Sequence, residues 1–164
     1  NFDRSVVLKP SIVYSVDDNF TTHFMTLLNR LPIIPIYYEG KTKFAPIHVT
    51  DLAQIIFDVV QRKTNEQTIE CIGPEILSFK EIILKILKAI DKKKILVPLP
   101  LIIAKITAKI FEIMPNPIIT VDQLNLLKHD NISSGKYKNN FDLDLKASKI
   151  FEKEKISLGV FSLL

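Results

Sequence analysis

Apolar residues first gather at Val6, Val7 and Leu8, in a continuous run that Pro10 stops. A short run of this kind reads as a strand buried in a parallel sheet. Asp17 or Asp18 can then cap a helix starting near Asn19. Its Phe20, Phe24, Leu27, Leu28 and Leu31 fall on one face, and Pro32 ends it. Residues 33–37 and 42–47 pattern as two strands forming a hairpin around Glu39 and Gly40, made edge-like by Pro35 and Pro46.

The next helix opens at Thr50 or Asp51, with an apolar stripe of Leu52, Ile55, Ile56, Val59 and Val60. Residues 68–72 read as a strand closed by Gly73 and Pro74. Ser78, Phe79, Lys80 and Glu81 then form a capping box, in which serine and glutamate satisfy each other's free backbone N–H groups. Phe79, Ile82, Ile83, Ile86, Leu87 and Ile90 follow at helical spacing. Residues 95–97 are extended, and Pro100 suits the first turn of an amphipathic helix over 100–114. Thr120 and Gln123 suggest another box, starting a helix to about Lys128. A polar, turn-rich stretch runs from His129 to Asn140, and 147–155 is a last helical candidate. The order strand, helix, hairpin, helix, strand, then mostly helix predicts a mixed α/β fold.

The 164 residues suit one domain with a sizeable core, and 47% hydrophobic against 24% charged residues excludes a disordered chain. No apolar run is long enough to span a bilayer, and no basic-then-apolar leader pattern opens the sequence. The single cysteine, Cys71, excludes an intrachain disulfide and fits a reducing compartment. The net charge of +4 comes mostly from lysine, without the arginine clusters or basic-aromatic stretches that nucleic-acid binding uses. Lys85, Lys88 and Lys92 to Lys94 gather at the end of the capping-box helix. They read as a solvated face at the negative helix terminus or, more sharply, as a contact for anionic lipid or an acidic partner.

The chemical inventory is sparse. The four glycines, Gly40, Gly73, Gly135 and Gly159, make no glycine-rich pyrophosphate cradle. His23, His48 and His129 share no metal-ligand spacing, so no metal site is expected. Tyr37 and Lys41 match the Y-x-x-x-K acid/base spacing of short-chain dehydrogenases, a chemistry that needs both on one helical turn. The glycine between them predicts a turn instead, so no catalytic residue is assigned.

Three segments carry a family signal. Val7 to Tyr14 with Asp17 and Asp18 is similar to a strand end of the form LRPSxVxGPxD, 47–53 to HVxDxA, and 72–81 to GPExLTFxE. Residues 97–100 and 120–124 continue the same register. In this order the set resembles the C-terminal half of extended or atypical short-chain dehydrogenases, the NAD-dependent epimerase/dehydratase superfamily. Within it the likeness is greatest to the dehydrogenase-like accessory subunit of respiratory complex I and its bacterial relatives. Lys9 stands in place of the usual arginine, and Ser15 and Val16 in place of Gly-Pro.

The resemblance implies the C-terminal part of a Rossmann-type sheet plus a small, mostly helical substrate-domain region. Residues 1–164 would be one partial domain, with the nucleotide-binding half upstream. It implies an NAD or NADP cofactor, with Pro10, Ser11 and Ile12 beside the nicotinamide, and Tyr14, His48 and Asp51 on the substrate side. It implies complex I subunits as partners, a peripheral membrane contact, and a place in the cytoplasm or on the matrix side of the inner membrane. The alternative is an active epimerase, dehydratase or reductase acting on a nucleotide sugar or a hydrophobic small molecule. For His48 and Asp51 a purely structural reading competes, since capping explains their spacing.

Overall fold

A computed structural model describes residues 5–15, 31–62, 66–100 and 121–150, with positions 102, 103, 105, 106 and 109 between the last two segments. The strands are β1 (Val7–Pro10), β2 (Val13–Tyr14), β3 (Ile33–Ile36), β4 (Lys43–Phe44), β5 (Ile47–His48), β6 (Thr68–Cys71), β7 (Leu77–Ser78), β8 (Ile95–Pro98) and β9 (Lys138–Asn139). The helices are α1 (Val49–Arg62), α2 (Phe79–Ala89) and α3 (Val121–Leu126). The helix expected after Asn19 lies outside the described residues.

The chain divides into two compact units. The first comprises Asn1–Val16, Phe44–Ile76 and Asn131–Leu164. Its β1, β6 and β9 form a parallel sheet in that order, with Val7 beside Thr68 and Pro10 beside Cys71. A second parallel pair sets Val13 beside Ile47 and Tyr14 beside His48. Parallel pairing with an intervening helix is the α/β arrangement expected from the sequence. The core joins Ile47, Ile55, Val59, Ile69, Cys71 and Leu145. β1 is not the buried strand its apolar run suggests: Val7 is 51% exposed and Leu8 half-buried. Among the described residues β1 is the edge of the sheet, so only its β6 side is covered.

Two features of this unit have no counterpart in the periodicity. β9 falls within the stretch expected to be turns, because a two-residue strand leaves no pattern to read. Residues 147–150 are not helical. Their backbone groups bond to distant partners instead: Ser148 N–H to Asp51, Lys149 C=O to Tyr14, and Ile150 N–H to Glu75.

The second unit comprises Asp17–Lys43 and Leu77–Asp130. β3 and β8 pair in parallel, Ile33 beside Ile95 and Ile36 beside Pro98. This replaces the expected hairpin. Tyr38, Glu39 and Gly40 take left-handed φ values of 50°, 57° and 69°, and the turn directs the chain away from β3. A Cβ on Gly40 would lie 2.8 Å from both Ile36 Cγ2 and Lys80 Cβ, so this position requires glycine. α2 starts on the expected capping box, with Ser78 Oγ accepting from Glu81 N–H and the Glu81 carboxylate accepting from Ser78 N–H at 2.7 Å. It buries Phe79, Ile82, Ile83, Ile86 and Leu87. Tyr37 packs on Leu124 of α3, with Leu99, Val121 and Leu127 around them. Positions 102, 103, 105, 106 and 109 are helical, as expected; the rest of 100–114 beyond Pro100 lies outside the described residues.

Candidate functional site

The carboxyl ends of parallel strands are where open α/β sheets hold ligands, because the next residues leave the ladder there with backbone groups available. In the first unit this end is formed by Pro10, the last residue of β1, with Ser11 and Ile12 after it, and by Cys71, the last residue of β6, with Ile72 and Gly73 after it. Ser11 is buried and closely held. Its N–H donates to Cys71 O at 3.0 Å. Its Oγ donates to Asn131 O at 2.6 Å and accepts from Ala45 N–H at 3.1 Å. Ile12 O accepts from Ile47 N–H at 2.9 Å, which leads the chain into β2. The Ser11 hydroxyl therefore fixes the backbone, while Pro10 stays exposed beside it.

Gly73 and Pro46 pass in close contact at the same end. Gly73 N–H donates to Ala45 O, and a Cβ at Gly73 would stand 1.8 Å from Pro46 O. Asn140 is fully buried and completes the edge: its Oδ1 accepts from Ile72 N–H at 2.7 Å and its Nδ2 donates to Leu145 O at 3.1 Å. The Cys71 thiol points into the core, where burial pushes its pKa to about 11 and leaves it an inert thiol.

The structure brings Tyr14, His48 and Asp51 together. The Tyr14 and His48 rings meet edge-on, 5.2 Å between centroids. His48 Nδ1 accepts from Thr50 N–H at 3.2 Å and lies 2.7 Å from Thr50 Oγ1. It thus caps the first turn of α1, a role usually filled by an oxygen side chain, and as acceptor it leaves the proton of the neutral ring on Nε2. The Asp51 carboxylate accepts from Ser148 N–H at 2.8 Å. Tyr14 OH donates to Lys149 O at 3.3 Å. All three side chains are buried and bind backbone groups of the chain itself.

The residues that close this region, Asn131, Asn140 and the segment 148–150, carry no sequence signal. They act across separations of 68 to 135 residues through backbone atoms or one amide. Tyr37 and Lys41, in contrast, flank the left-handed turn of Tyr38, Glu39 and Gly40 and do not share one α-helical turn. Burial pushes the Tyr37 phenol up, whereas acid/base use would need it lowered, and the exposed Lys41 ammonium is paired with Glu39. Among the described residues no cluster of His, Cys, Asp and Glu could hold a metal ion.

Two cavities are seen in this unit. One, of about 400 Å³, is lined by Glu66, Gln67, Thr68, Lys136, Tyr137 and Lys138 at the amino-terminal end of β6. The other, of about 160 Å³, lies among Val59, Arg62, Leu143 and Leu145. Neither borders Pro10, Ser11 or Ile12.

No family model matches the chain. It is 26% identical over 158 residues to NADH dehydrogenase (ubiquinone) 1 alpha subcomplex subunit 9, mitochondrial, of Arabidopsis thaliana, covering 90% of this chain and 39% of that protein. Among solved structures it is similar to dTDP-glucose 4,6-dehydratase of Bacillus anthracis in complex with NAD, with TM-score 0.54 and 16% identity over 90% of this chain and 40% of the other. A dTDP-4-dehydrorhamnose reductase ortholog of Clostridium acetobutylicum matches with TM-score 0.51 and 17% identity, over 76% of this chain and 42% of the other. The chain thus spans about two-fifths of the length of these relatives. The parallel strands, the ordered motifs and these likenesses agree: the chain has the Rossmann-like fold of the NAD-dependent epimerase/dehydratase, or extended short-chain dehydrogenase, proteins.

Proposed function

We propose that this chain is the C-terminal portion of a short-chain-dehydrogenase-like accessory subunit of respiratory complex I, whose NAD or NADP is structural and not turned over. The observation that carries the reading is the commitment of Tyr14, His48 and Asp51 to the chain's own backbone. Groups that could do acid/base work on a substrate serve here to hold residues 148 and 149 and the start of α1. The similarity to the alpha subcomplex subunit supports the choice of partner and a mitochondrial location.

A nicotinamide at the carboxyl end of β1 is part of this reading. Pro10 is exposed at the strand end, and the three hydrogen bonds of Ser11 hold the backbone around it in one geometry. Pro10, Ser11 and Ile12 would hold that end of the cofactor through backbone groups and the proline ring. A group bound only to the folded state stabilises it by mass action, by about 2.7 kcal/mol at a concentration 100-fold above its Kd.

The test is to purify the protein from its native membranes, measure its NAD(P) content, and follow complex I assembly on native gels after its depletion. Retained nicotinamide, comigration with complex I and loss of the assembled complex are expected. Turnover of nucleotide sugars with hydride exchange into the bound cofactor, in a protein absent from complex I, would replace this reading by that of an active epimerase or dehydratase.

A further inference from the structure

Lysines gather at the larger cavity of the first unit, where β6 and β9 begin. In the register of β1 and β6, Val7 stands beside Thr68 and Lys9 beside Glu70, so these four side chains share one face of the sheet. Val7 and Lys9 are exposed on it. The chain entering β9 adds Lys136, Tyr137 and Lys138. The Tyr137 ring has the Lys9 ammonium 4.3 Å from its centroid and the Lys136 ammonium 5.6 Å from it. Lys138 Nζ lies 2.7 Å from the Glu66 carboxylate. Residues 136–138 and 66–68 together line the cavity of about 400 Å³.

Three lysines thus meet around this cavity, and Glu66 is the only acid in its lining. Glu70, beside Lys9, is taken up by other donors: Ser133 Oγ, Ser134 N–H and Ser134 Oγ all donate to it. Like charges brought together repel, and an anion placed among them removes that cost. Lysine acts on an anion as a point charge, which suits a phosphate dianion. A planar carboxylate is gripped best by the fork of arginine, and no arginine lines this cavity. The volume falls within the range of small-molecule sites, about 300–1,000 Å³, so there is room for more than a phosphate ion. Gln67 and Thr68 supply neutral donors and acceptors that hydroxyl groups can use.

We propose that this cavity binds a phosphorylated molecule of sugar size. Lys136 and Lys138 hold its phosphate, Lys9 at the Tyr137 ring adds to the positive field, and Gln67 and Thr68 meet its hydroxyls. Glu66 competes with the phosphate for Lys138. The inference does not depend on the accessory-subunit reading: it uses the amino-terminal ends of β6 and β9, whereas Pro10, Ser11 and Ile12 stand at the carboxyl end of β1.

The experiment is titration of the protein with ribose 5-phosphate, inorganic phosphate, ribose and acetate, followed by amide NMR shifts and calorimetry. Ribose 5-phosphate should shift the amides of residues 66–68 and 136–138. Inorganic phosphate should shift the same amides at higher concentration, and ribose and acetate should leave them in place. Lys136→Gln with Lys138→Gln should weaken ribose 5-phosphate binding about tenfold or more. Glu66→Gln should tighten it about threefold, since the competing carboxylate is gone. Lys92→Gln with Lys93→Gln removes the same charge from exposed positions of the second unit and should change nothing. Unmoved amides at 66–68 and 136–138 in the unaltered protein would overturn the proposal, whatever the variants do. So would equal weakening by the two lysine pairs, which marks diffuse attraction by net charge, or binding of acetate as tight as that of ribose 5-phosphate. Inorganic phosphate binding as tightly as ribose 5-phosphate would overturn the choice of a sugar phosphate.

Discussion

Helices α1 and α2 carry similar amphipathic patterns but are held in different ways. α2 has 11 residues, starts on a box made by Ser78 and Glu81, and buries five apolar side chains in an unbroken stripe. α1 has 14 residues and buries two, Ile55 and Val59, leaving Val49, Ile56, Phe57 and Val60 exposed. Its first turn is capped by His48 and anchored by Asp51, whose partner Ser148 lies 97 residues away. The start of α2 is encoded within four residues; that of α1 depends on the unit around it closing correctly. Changes to long-range polar contacts should therefore be severe in the first unit, and changes to local signals mild in the second.

The strongest break on the α1 side is Gly73→Ala. The added Cβ would stand 1.8 Å from Pro46 O, a backbone atom with no freedom to move aside. Such a clash belongs to the rare class of single changes costing about 4 kcal/mol or more. Loss of the cooperative transition in urea is the expected result. Asn140→Ala comes next. It strands the N–H of Ile72 and the C=O of Leu145 in the interior, and each unsatisfied group costs about 1–3 kcal/mol. A fall of about 3 kcal/mol in unfolding free energy should be read from urea midpoints.

How much of this was legible follows the same division. The capping box of α2, the strands β3, β6 and β8 and the α/β class come from patterns contained within a dozen residues. The residues Tyr14, His48 and Asp51 were legible as a group only through the likeness to a family, and their actual partners were not legible at all. Tyr14 and Asp51 bond the backbone of residues 149 and 148, and backbone atoms have no sequence identity. The hairpin expectation failed for a related reason: Glu39 and Gly40 do mark a turn, but β3 found its neighbour in β8, a choice made by tertiary packing. Of the helix expected over 147–155, the described residues 147–150 are not helical because they spend backbone groups on Asp51, Tyr14 and Glu75 in place of an internal ladder; the rest lies outside the described residues.

Glu70 gives the first unit a pH dependence. Burial alone would push its carboxyl up, but hydrogen bonds from Ser133 Oγ at 2.6 Å and Ser134 N–H at 2.9 Å, with Ser134 Oγ and the Lys9 charge, hold it below the usual glutamate value. The folded carboxyl therefore keeps its charge to lower pH than the unfolded one. The stabilisation is complete above the unfolded value of 4.5 and is lost as pH falls through the folded value. Glu70→Gln should cost about 2 kcal/mol at neutral pH and flatten the dependence in that window, read by urea unfolding across pH.

On the α2 side the matching change is smaller. Ser78→Ala removes the acceptor for Glu81 N–H and the partner of the Glu81 carboxylate, both exposed. Loss of a helix cap of this kind costs about 1 kcal/mol. Ser78→Asp should restore most of it, because a carboxylate both accepts the hydrogen bond and favours the positive helix end. Loss beyond about 2 kcal/mol would mean that α2, too, depends on contacts outside its own first turn.

The smallest effect belongs to the open side of α1 and tests whether the contrast between the helices is real. Phe57 is 57% exposed, while Ile55, two residues earlier, is 1% exposed. Phenylalanine and serine have nearly equal helix propensity, so Phe57→Ser changes little besides the exposed ring. A surface change of this kind stays within about 0.5 kcal/mol. Ile55→Ala removes packed methyl groups from the core and should cost about 3 kcal/mol. The pair is read from urea midpoints of the two variants at one pH. A Phe57→Ser loss equal to that of Ile55→Ala would show that the outer face of α1 is covered in the folded protein. The difference in apolar burial between α1 and α2 would then disappear, leaving only the difference in how their first turns are capped.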